Sequence, residues 1–424
     1  MSRRTIHGEG IDAPAVKRFL IYNDVLYMRT LSEDQERAIS AILRWYTTDK
    51  AREPYVSLGG YAGTGKTTLL AVLRKELARV APQLKVGFAS YTGKASRVLR
   101  TKLIEEQAIL AQDSVGTIHS LIYAPIVNSE QEIVGWNTKE ALDRHLIIID
   151  EASMVDETIW HHLLSYGVPL VVVGDHGQLP PIHGSFNLME NPQMRLEQIH
   201  RQASENPIIG LSIQAREHGL VRSSVYSDTV IKYNTAEPDS QEALHELLEH
   251  FTPNMLVLCG YNNTRIKLNK HIRAALGFES PHPMSGDRVI CVRNNHKKHI
   301  FNGMIGTIQS LERVNNEWYR AQIAMDEEEG VYNGLIYAAQ FDAATGTNFS
   351  DKRSLTLQGD LFDFGCALTV HKAQGSQAKK VVLFEERFAK MDNDQWKRWL
   401  YTGITRAEEE LYIFGRDLDP SSPT

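Results

Sequence analysis

"GGYAGTGKTTLLAVL", residues 59–73, contains a phosphate-binding turn. Gly60, four intervening residues, Gly65, Lys66 and Thr67 fit the pattern G-x-x-x-x-G-K-[ST], in which backbone N–H groups cradle phosphates and the lysine reaches the terminal ones. "PYVSLGG" before it has the run of a short buried strand, and Leu69, Val72, Leu73, Leu77 and Val80 after it recur at helical spacing. A strand, a glycine turn and a helix N-terminus aim amide donors and the positive end of a helix dipole at an anion. Gly60, Gly63, Thr64, Gly65, Lys66, Thr67 and Thr68 are the expected nucleotide contacts.

Outward from this loop, the chain keeps the same rhythm. "LKVGFAS" precedes "KASRVLRTKL", "HLIIID" precedes "ETIWHHLLSY", and "PLVVVGD" comes next. Apolar runs alternating with helical patterns predict an open parallel sheet covered by helices, an α/β fold. Two short alternating runs around "NSEQE" predict a hairpin insertion over 123–142. A second α/β rhythm begins at "NMLVLCGYNNTRIKLNKHIRAAL", breaks from 287 to about 340 into short strands parted by Gly and Asn turns, and resumes at "CALTVHKAQGSQ". An all-β insertion within a second α/β domain without its own P-loop accounts for that order. The expected boundaries are 1–30 for an N-terminal extension, 31–202 for the first domain, 203–280 with 366–424 for the second, and 281–365 for the insertion.

Composition narrows the function classes. The 424 residues are too many for one ordinary core, and 42% hydrophobic with 23% charged content is ordinary for a globular protein. No apolar run approaches the roughly 20 residues of a membrane span, and "MSRRTIHGEG" lacks a signal peptide's apolar core; the cytoplasm, of a host if the chain is phage-encoded, is the expected location. Cys259, Cys291 and Cys366 stand singly and predict buried thiols. A net charge of −6 means that a nucleic-acid partner must be held by a local groove.

The acidic pair Asp150–Glu151 ends an apolar strand, where parallel sheets bind ligands. Such an aspartate can hold Mg²⁺ together with the Thr67 hydroxyl, and the adjacent glutamate can orient an attacking water. Gln178, just beyond the strand "VVVGD", is suited to contact a γ-phosphate and its nucleophile. Arg201 and Arg406 lie outside the P-loop region; an arginine brought from a second domain to a phosphoryl group in transfer raises turnover by ~10³ to 10⁵.

Nine ordered stretches, "LSEDQ", "GYAGTGKTT", "ASYTGKASRVL", "GTIHSL", "IIIDEASM", "VVGDHGQLPPI", "LEQIHRQ", "LTVHKAQGS" and "LYTGITRAEEEL", span about residues 31 to 416. In that order they resemble the superfamily 1 helicases of the RecD and Dda branch, with a layout like that of phage Dda-type helicases. The resemblance implies two RecA-like domains, the second with an SH3-like barrel. It also implies an ATP- and Mg²⁺-dependent DNA helicase moving 5′ to 3′ on single-stranded DNA, in replication, recombination or repair. A single-strand-stimulated translocase that remodels protein–DNA complexes is the alternative. By the same carry-over Gln35 contacts adenine, Lys66 and Thr67 handle phosphate and metal, and Gln178, Arg201 and Arg406 complete a γ-phosphate sensor across the interdomain cleft. The expected partners are single-stranded and forked DNA, with a single-strand-binding protein as a candidate companion; no membrane is involved, and the expected state is a monomer.

The family pattern also assigns a DNA track to Thr92, Lys94, Thr117, His119, Thr369, His371 and Lys372. These groups suit phosphates and sugars, contacts that carry no sequence information. Relatives commonly have proline where this chain has Tyr91, which either stacks on a base or belongs to the core. Asn302, in "FNGMIG", is expected near the strand. Trp136, in the hairpin insertion, is either a wedge at the fork or an anchor of the hairpin.

Overall fold

The computed structural model describes residues 31–127, 133–181, 186–199, 206–293, 295, 298, 300, 302–326, 330–343 and 358–417. Their strands are, in chain order, β1 (Tyr55–Gly60), β2 (Val86–Ser90), β3 (Ser114–Thr117), β4 (Tyr123–Val127), β5 (Ile133–Thr138), β6 (Leu146–Asp150), β7 (Leu170–Gly174), β8 (Met194–Leu196), β9 (Ser224–Ser227), β10 (Val230–Asn234), β11 (Met255–Cys259), β12 (Arg288–Cys291), β13 (Ile305–Arg313), β14 (Trp318–Met325), β15 (Val331–Tyr337), β16 (Phe362–Phe364), β17 (Ala367–Thr369), β18 (Ala378–Phe384) and β19 (Ala407–Gly415). The α-helices are α1 (Glu33–Arg44), α2 (Lys66–Val80), α3 (Gly93–Glu105), α4 (Ile118–Ile122), α5 (Glu157–Ser165), α6 (Pro207–His218), α7 (Asp239–Glu249), α8 (Asn262–Ala275) and α9 (Asn393–Ile404).

The first six-stranded sheet has the order β3-β2-β6-β7-β1-β8, and its pairings are parallel. Its central strands are apolar throughout because helices cover both faces. Alternate side chains separate accordingly: Ile148, Val171 and Val173 join the core beneath α1 and α2, while Ile147, Ile149 and Val172 join the core beneath α5. Each such side chain contributes roughly 1.5–3 kcal/mol on burial. Strands β4 and β5 form a separate antiparallel pair, rooted where Lys139 Nζ donates to the carbonyls of Ser120 and Leu121 at 2.7 and 2.9 Å.

The second six-stranded sheet has the order β17-β11-β18-β19-β10-β9; all its pairings are parallel except that of the edge strand β9. A five-stranded antiparallel sheet, β15-β14-β13-β12-β16, departs after α8 and returns into β17. It curls until its ends meet, with Ile336 bridged to Asp360 beside β16.

One face of α8 staples this curled sheet to the second unit. Arg265 pairs with Asp363 at 2.9 Å, Asn269 exchanges two 2.9 Å hydrogen bonds with the Ala367 backbone, and Arg273 pairs with Asp287 at 2.7 Å. Spaced four residues apart on a helix, the three side chains share a stripe, and all are buried. Cys259, Cys291 and Cys366 are buried free thiols, each pushed up to about 12, chiefly by burial. Among the described residues no helix is long and apolar enough to cross a membrane.

Candidate nucleotide cleft and nucleic-acid interface

Because β1, β6 and β7 run parallel, their C-terminal ends share one edge of the sheet, and the loops that leave them converge there. After β1 the chain turns through Gly63 and Gly65, whose φ values of 79° and 72° favour residues without a Cβ. Gly60 is needed for space: a Cβ there would lie 2.7 Å from Thr64 Oγ1. The turn delivers Lys66, Thr67 and Thr68 to the first turn of α2, which carries no acidic residue. Lys66 Nζ donates to the carbonyls of Gly60 at 2.7 Å and Tyr61 at 3.0 Å, and lies 3.9 Å from Asp175 Oδ2.

Gln35 braces this loop from α1. It is buried, its Oε1 accepts the Ser32 N–H at 3.0 Å, and its Nε2 donates to the Thr64 carbonyl at 2.9 Å. A capping box makes it available at that place, since Ser32 and Gln35 close the N-terminus of α1.

Asp150 and Glu151 close β6. Asp150 is buried, and its carboxyl is raised to about 7 by burial first and by Glu151 second, against the pull of Lys66. Glu151 sits at φ 55°, ψ 40°, a left-handed conformation that costs a non-glycine residue on the order of 1 kcal/mol. Strain of that kind persists where neighbours over-determine a side chain's direction. The oxygen donors of Thr67 and Asp150 suit a hard divalent cation such as Mg²⁺.

Beyond β7, Asp175 Oδ2 lies 3.4 Å from Gln178 Nε2, whose partner oxygen Oε1 is buried and without a hydrogen-bond partner. A buried acceptor of this sort marks a place where a donor is missing.

The second unit closes the cleft through α9. Arg406, at its end, is buried and donates to the carbonyls of Thr402 at 3.0 Å and Ser376 at 3.2 Å. Burial lowers its affinity for a proton, and Glu151 and Asp175 oppose that shift. Direct contacts join the units: Leu179 N–H donates to Thr402 Oγ1 at 3.0 Å, and Gln374 Nε2 to the Leu179 carbonyl at 2.8 Å. Tyr401, Tyr61, Arg216 and Arg398 also line this junction, and reading the sequence did not single them out. The Arg216 guanidinium lies 3.7 Å from the Tyr61 ring centroid. Arg201 lies outside the described residues.

The threonines expected on a DNA track serve as local caps, and Thr117 and Thr369 are buried. Thr92 and Thr117 cap α3 and α4, accepting the N–H groups of Ala95 at 3.2 Å and Ser120 at 3.1 Å. Thr369 Oγ1 likewise accepts the Lys372 N–H at 3.3 Å. One cavity brings Thr92 together with Asn302 of the curled sheet and Gln374, Gly375 and Ser376 of the second unit. Gly375, at φ 77°, allows this approach; a Cβ would lie 3.1 Å from Thr92.

His119 and His371 have proton affinities lowered mainly by burial, so both imidazoles are predominantly neutral at pH 7. Lys372 is shifted down, first by burial and then by Arg265. Tyr91 packs against the core beneath α5, with its ring 6.2 Å from that of His119, and remains partly exposed. Trp136 pairs with Pro125 in the hairpin register; its side chain and that of Lys94 lie outside the described residues.

Residues 30–226 match the family described as AAA domain, and residues 364–414 match the UvrD-like helicase C-terminal domain. The chain is 26% identical to the ATP-dependent RecD2 DNA helicase of Deinococcus radiodurans, over 91% of this chain and 49% of that protein. It is 22% identical to the ATP-dependent DNA helicase Dda of Enterobacteria phage T4, over 90% of this chain and 98% of the phage protein. The chain therefore spans about half the length of the Deinococcus relative and nearly all of the phage one. A structure of Bacteroides Pif1 bound to single-stranded DNA superposes with a TM-score of 0.51 at 18% identity, over 92% of this chain and 93% of that one. A Pif1 structure describing unwinding at forked duplex DNA gives 0.52 at 20% identity, with the same coverage. These superpositions establish a common fold, an α/β core with parallel sheets around a P-loop.

Proposed function

We propose that this chain, a member of the RecD/Dda-like branch of superfamily 1 helicases, is an ATP-driven DNA helicase that moves 5′ to 3′ on single strands and opens forked duplex. The observation that carries this reading is the meeting of two units at one cleft: Lys66, Asp150, Glu151 and Gln178 come from the first, and Arg406 from the second. An arginine supplied by a second unit can stabilise the charge that develops in phosphoryl transfer, and it couples hydrolysis to the way the two units meet.

In this reading residues 31–202 and residues 203–280 with 366–424 are two RecA-like domains, and 281–365 is an SH3-like unit. Gln35 and the amides from Gly60 to Thr68 position the nucleotide, with Lys66 turning from its loop carbonyls to the phosphates. Thr67 and Asp150 would hold Mg²⁺, which supplies charge neutralisation at the phosphates. Glu151 orients the attacking water, Gln178 registers the γ-phosphate through its amide N–H and the nucleophilic water through its unpaired amide oxygen, and Arg406, with Arg201, stabilises the charge that develops in transfer. The cleft tightens and relaxes over each cycle, and the threonines, histidines and lysines of the track alternate their grip on phosphates and sugars.

The test is unwinding of duplexes with either a 5′ or a 3′ single-stranded tail, in ATP and Mg²⁺. Opening only the 5′-tailed substrate is the expected result. Opening only the 3′-tailed one overturns the polarity, and DNA-stimulated hydrolysis with no opening of either overturns the helicase reading.

A further inference from the structure

Asp175 is the point at which the two units and the phosphate-binding loop are tied together. It is 1% exposed, and its Oδ1 accepts the Gly177 N–H at 2.9 Å. Its Oδ2 accepts the Tyr401 hydroxyl at 2.6 Å and faces Lys66 Nζ at 3.9 Å. The Tyr401 oxygen in turn accepts the Ala62 N–H of the phosphate-binding loop at 2.8 Å. One hydroxyl of the second unit thus engages both the loop and the carboxylate nearest its lysine. Tyr401 is fully buried, and burial together with Asp175 holds its hydroxyl well above the usual phenol range, so it remains a donor at neutral pH.

Beside the Gln178 amide at 3.4 Å, two stronger donors, the Tyr401 hydroxyl and the Lys66 ammonium, compete for Asp175 Oδ2. At 2.6 Å the hydroxyl occupies Oδ2, while the ammonium stays beyond hydrogen-bond reach on two loop carbonyls. Carbonyl dipoles hold a lysine less firmly than a buried carboxylate does, so this arrangement leaves Lys66 free to transfer to phosphate. Without the hydroxyl, Oδ2 becomes the strongest acceptor within its reach.

We propose that Tyr401 is a positioning residue that keeps Asp175 from capturing Lys66, so that the second unit, by docking, makes the phosphate-binding lysine available to nucleotide. The inference rests on the proposed nucleotide site and adds a regulator to it. Docking of α9 and nucleotide binding then favour each other by equal factors, as linkage requires.

The test is a double-mutant cycle in the full chain, reading affinity for a non-hydrolysable ATP analogue by titration calorimetry, with melting temperature recorded for each variant. Tyr401→Phe keeps the ring that packs 6.1 Å from Tyr61 and removes only the hydroxyl. It should weaken the analogue roughly tenfold, about what closing a charge pair by an ångström gives at an effective dielectric near 20, and raise KM for ATP more than it lowers kcat. In an Asp175→Asn background, where no carboxylate can capture the lysine, the same substitution should change affinity less than about twofold. Wild-type affinity in Tyr401→Phe overturns the inference. So does an equal loss in both backgrounds, because a purely structural tyrosine behaves that way. A wild-type chain that binds no nucleotide overturns the site reading as well, and is recognisable because every variant is then silent.

Discussion

The two six-stranded sheets share a parallel plan but differ in the loops and helices that leave their strands. In the first, the turns after β1, β6 and β7 hold the phosphate-binding loop, the acidic pair and Gln178. In the second, β17 runs into "TVHKAQGS", α9 carries Tyr401, and the turn from α9 into β19 carries Arg406. In the proposed reading one sheet's loops hold phosphate, and the other unit presents side chains to it. The second also carries the curled sheet, clamped by α8, so that Asn302 belongs to the second unit and not to the one that holds the P-loop. On the proposed function, the contrast teaches that two similar sheets can divide their work, one keeping the phosphate chemistry and the other acting on it.

The largest effect should come from Lys66→Ala. It removes the only cation placed by the phosphate-binding turn itself, and should abolish ATP hydrolysis while affinity for single strands without nucleotide stays near wild type. Hydrolysis assays and fluorescence anisotropy with a labelled oligonucleotide read the two separately. Loss of both would mean that phosphate chemistry and strand binding are not divided between separate surfaces.

Arg406→Ala comes next. In the proposed role its target is the transition state, so turnover should fall by at least ~10³ with only a modest change in nucleotide affinity. Because the guanidinium also bonds the carbonyls of Thr402 and Ser376, the melting temperature must accompany the rates. Equal losses in affinity and turnover would make Arg406 a ground-state contact.

The clamp gives the third expectation. Arg273 satisfies Asp287 twice, at 2.7 and 2.9 Å, and also donates to the carbonyls of Ser280 and His282. Arg273→Ala strands a buried carboxylate and should cost ~3–5 kcal/mol in denaturant unfolding. A loss below ~1 kcal/mol would show that the insertion is not held to the second unit by this stripe.

The parallel-sheet α/β core was legible because β6 and β7 are unbroken apolar runs, a pattern that burial on both faces demands. Strands β8, β9 and β16 were not legible: three or four residues long, they are defined by the neighbours they pair with. Positions of Lys66, Asp150, Glu151 and Gln178 could be read because each lies at or just after a strand end within a local motif. Tyr401 could not, since its hydroxyl acquires meaning only by meeting Ala62 across 339 positions of sequence. The same holds for Arg216 over Tyr61, an ordinary helical arginine until the two units come together.

The smallest effect concerns the hairpin of β4 and β5, which belongs to the first unit and carries none of the proposed phosphate-site residues. Its root is fixed: Lys139 Nζ and the Lys139 N–H hold the carbonyls around α4, and Tyr166 Oη donates to the Ile122 carbonyl at 2.6 Å. Trp136 lies in the hairpin itself, in register with Pro125, so trimming it leaves the root bonded. Opening a base pair opposes stacking of ~1.4 kcal/mol per step, and an aromatic ring that caps the exposed base recovers much of that. Trp136→Ala should therefore slow unwinding of a 5′-tailed duplex by about tenfold, the factor that corresponds to ~1.4 kcal/mol, and leave single-strand-stimulated hydrolysis nearly unchanged. Parallel loss of both activities with a lowered melting temperature would make Trp136 an anchor of the hairpin. Unchanged unwinding would move the wedge to another part of the fork-facing surface, and the first unit would then have a hairpin whose task is not strand separation.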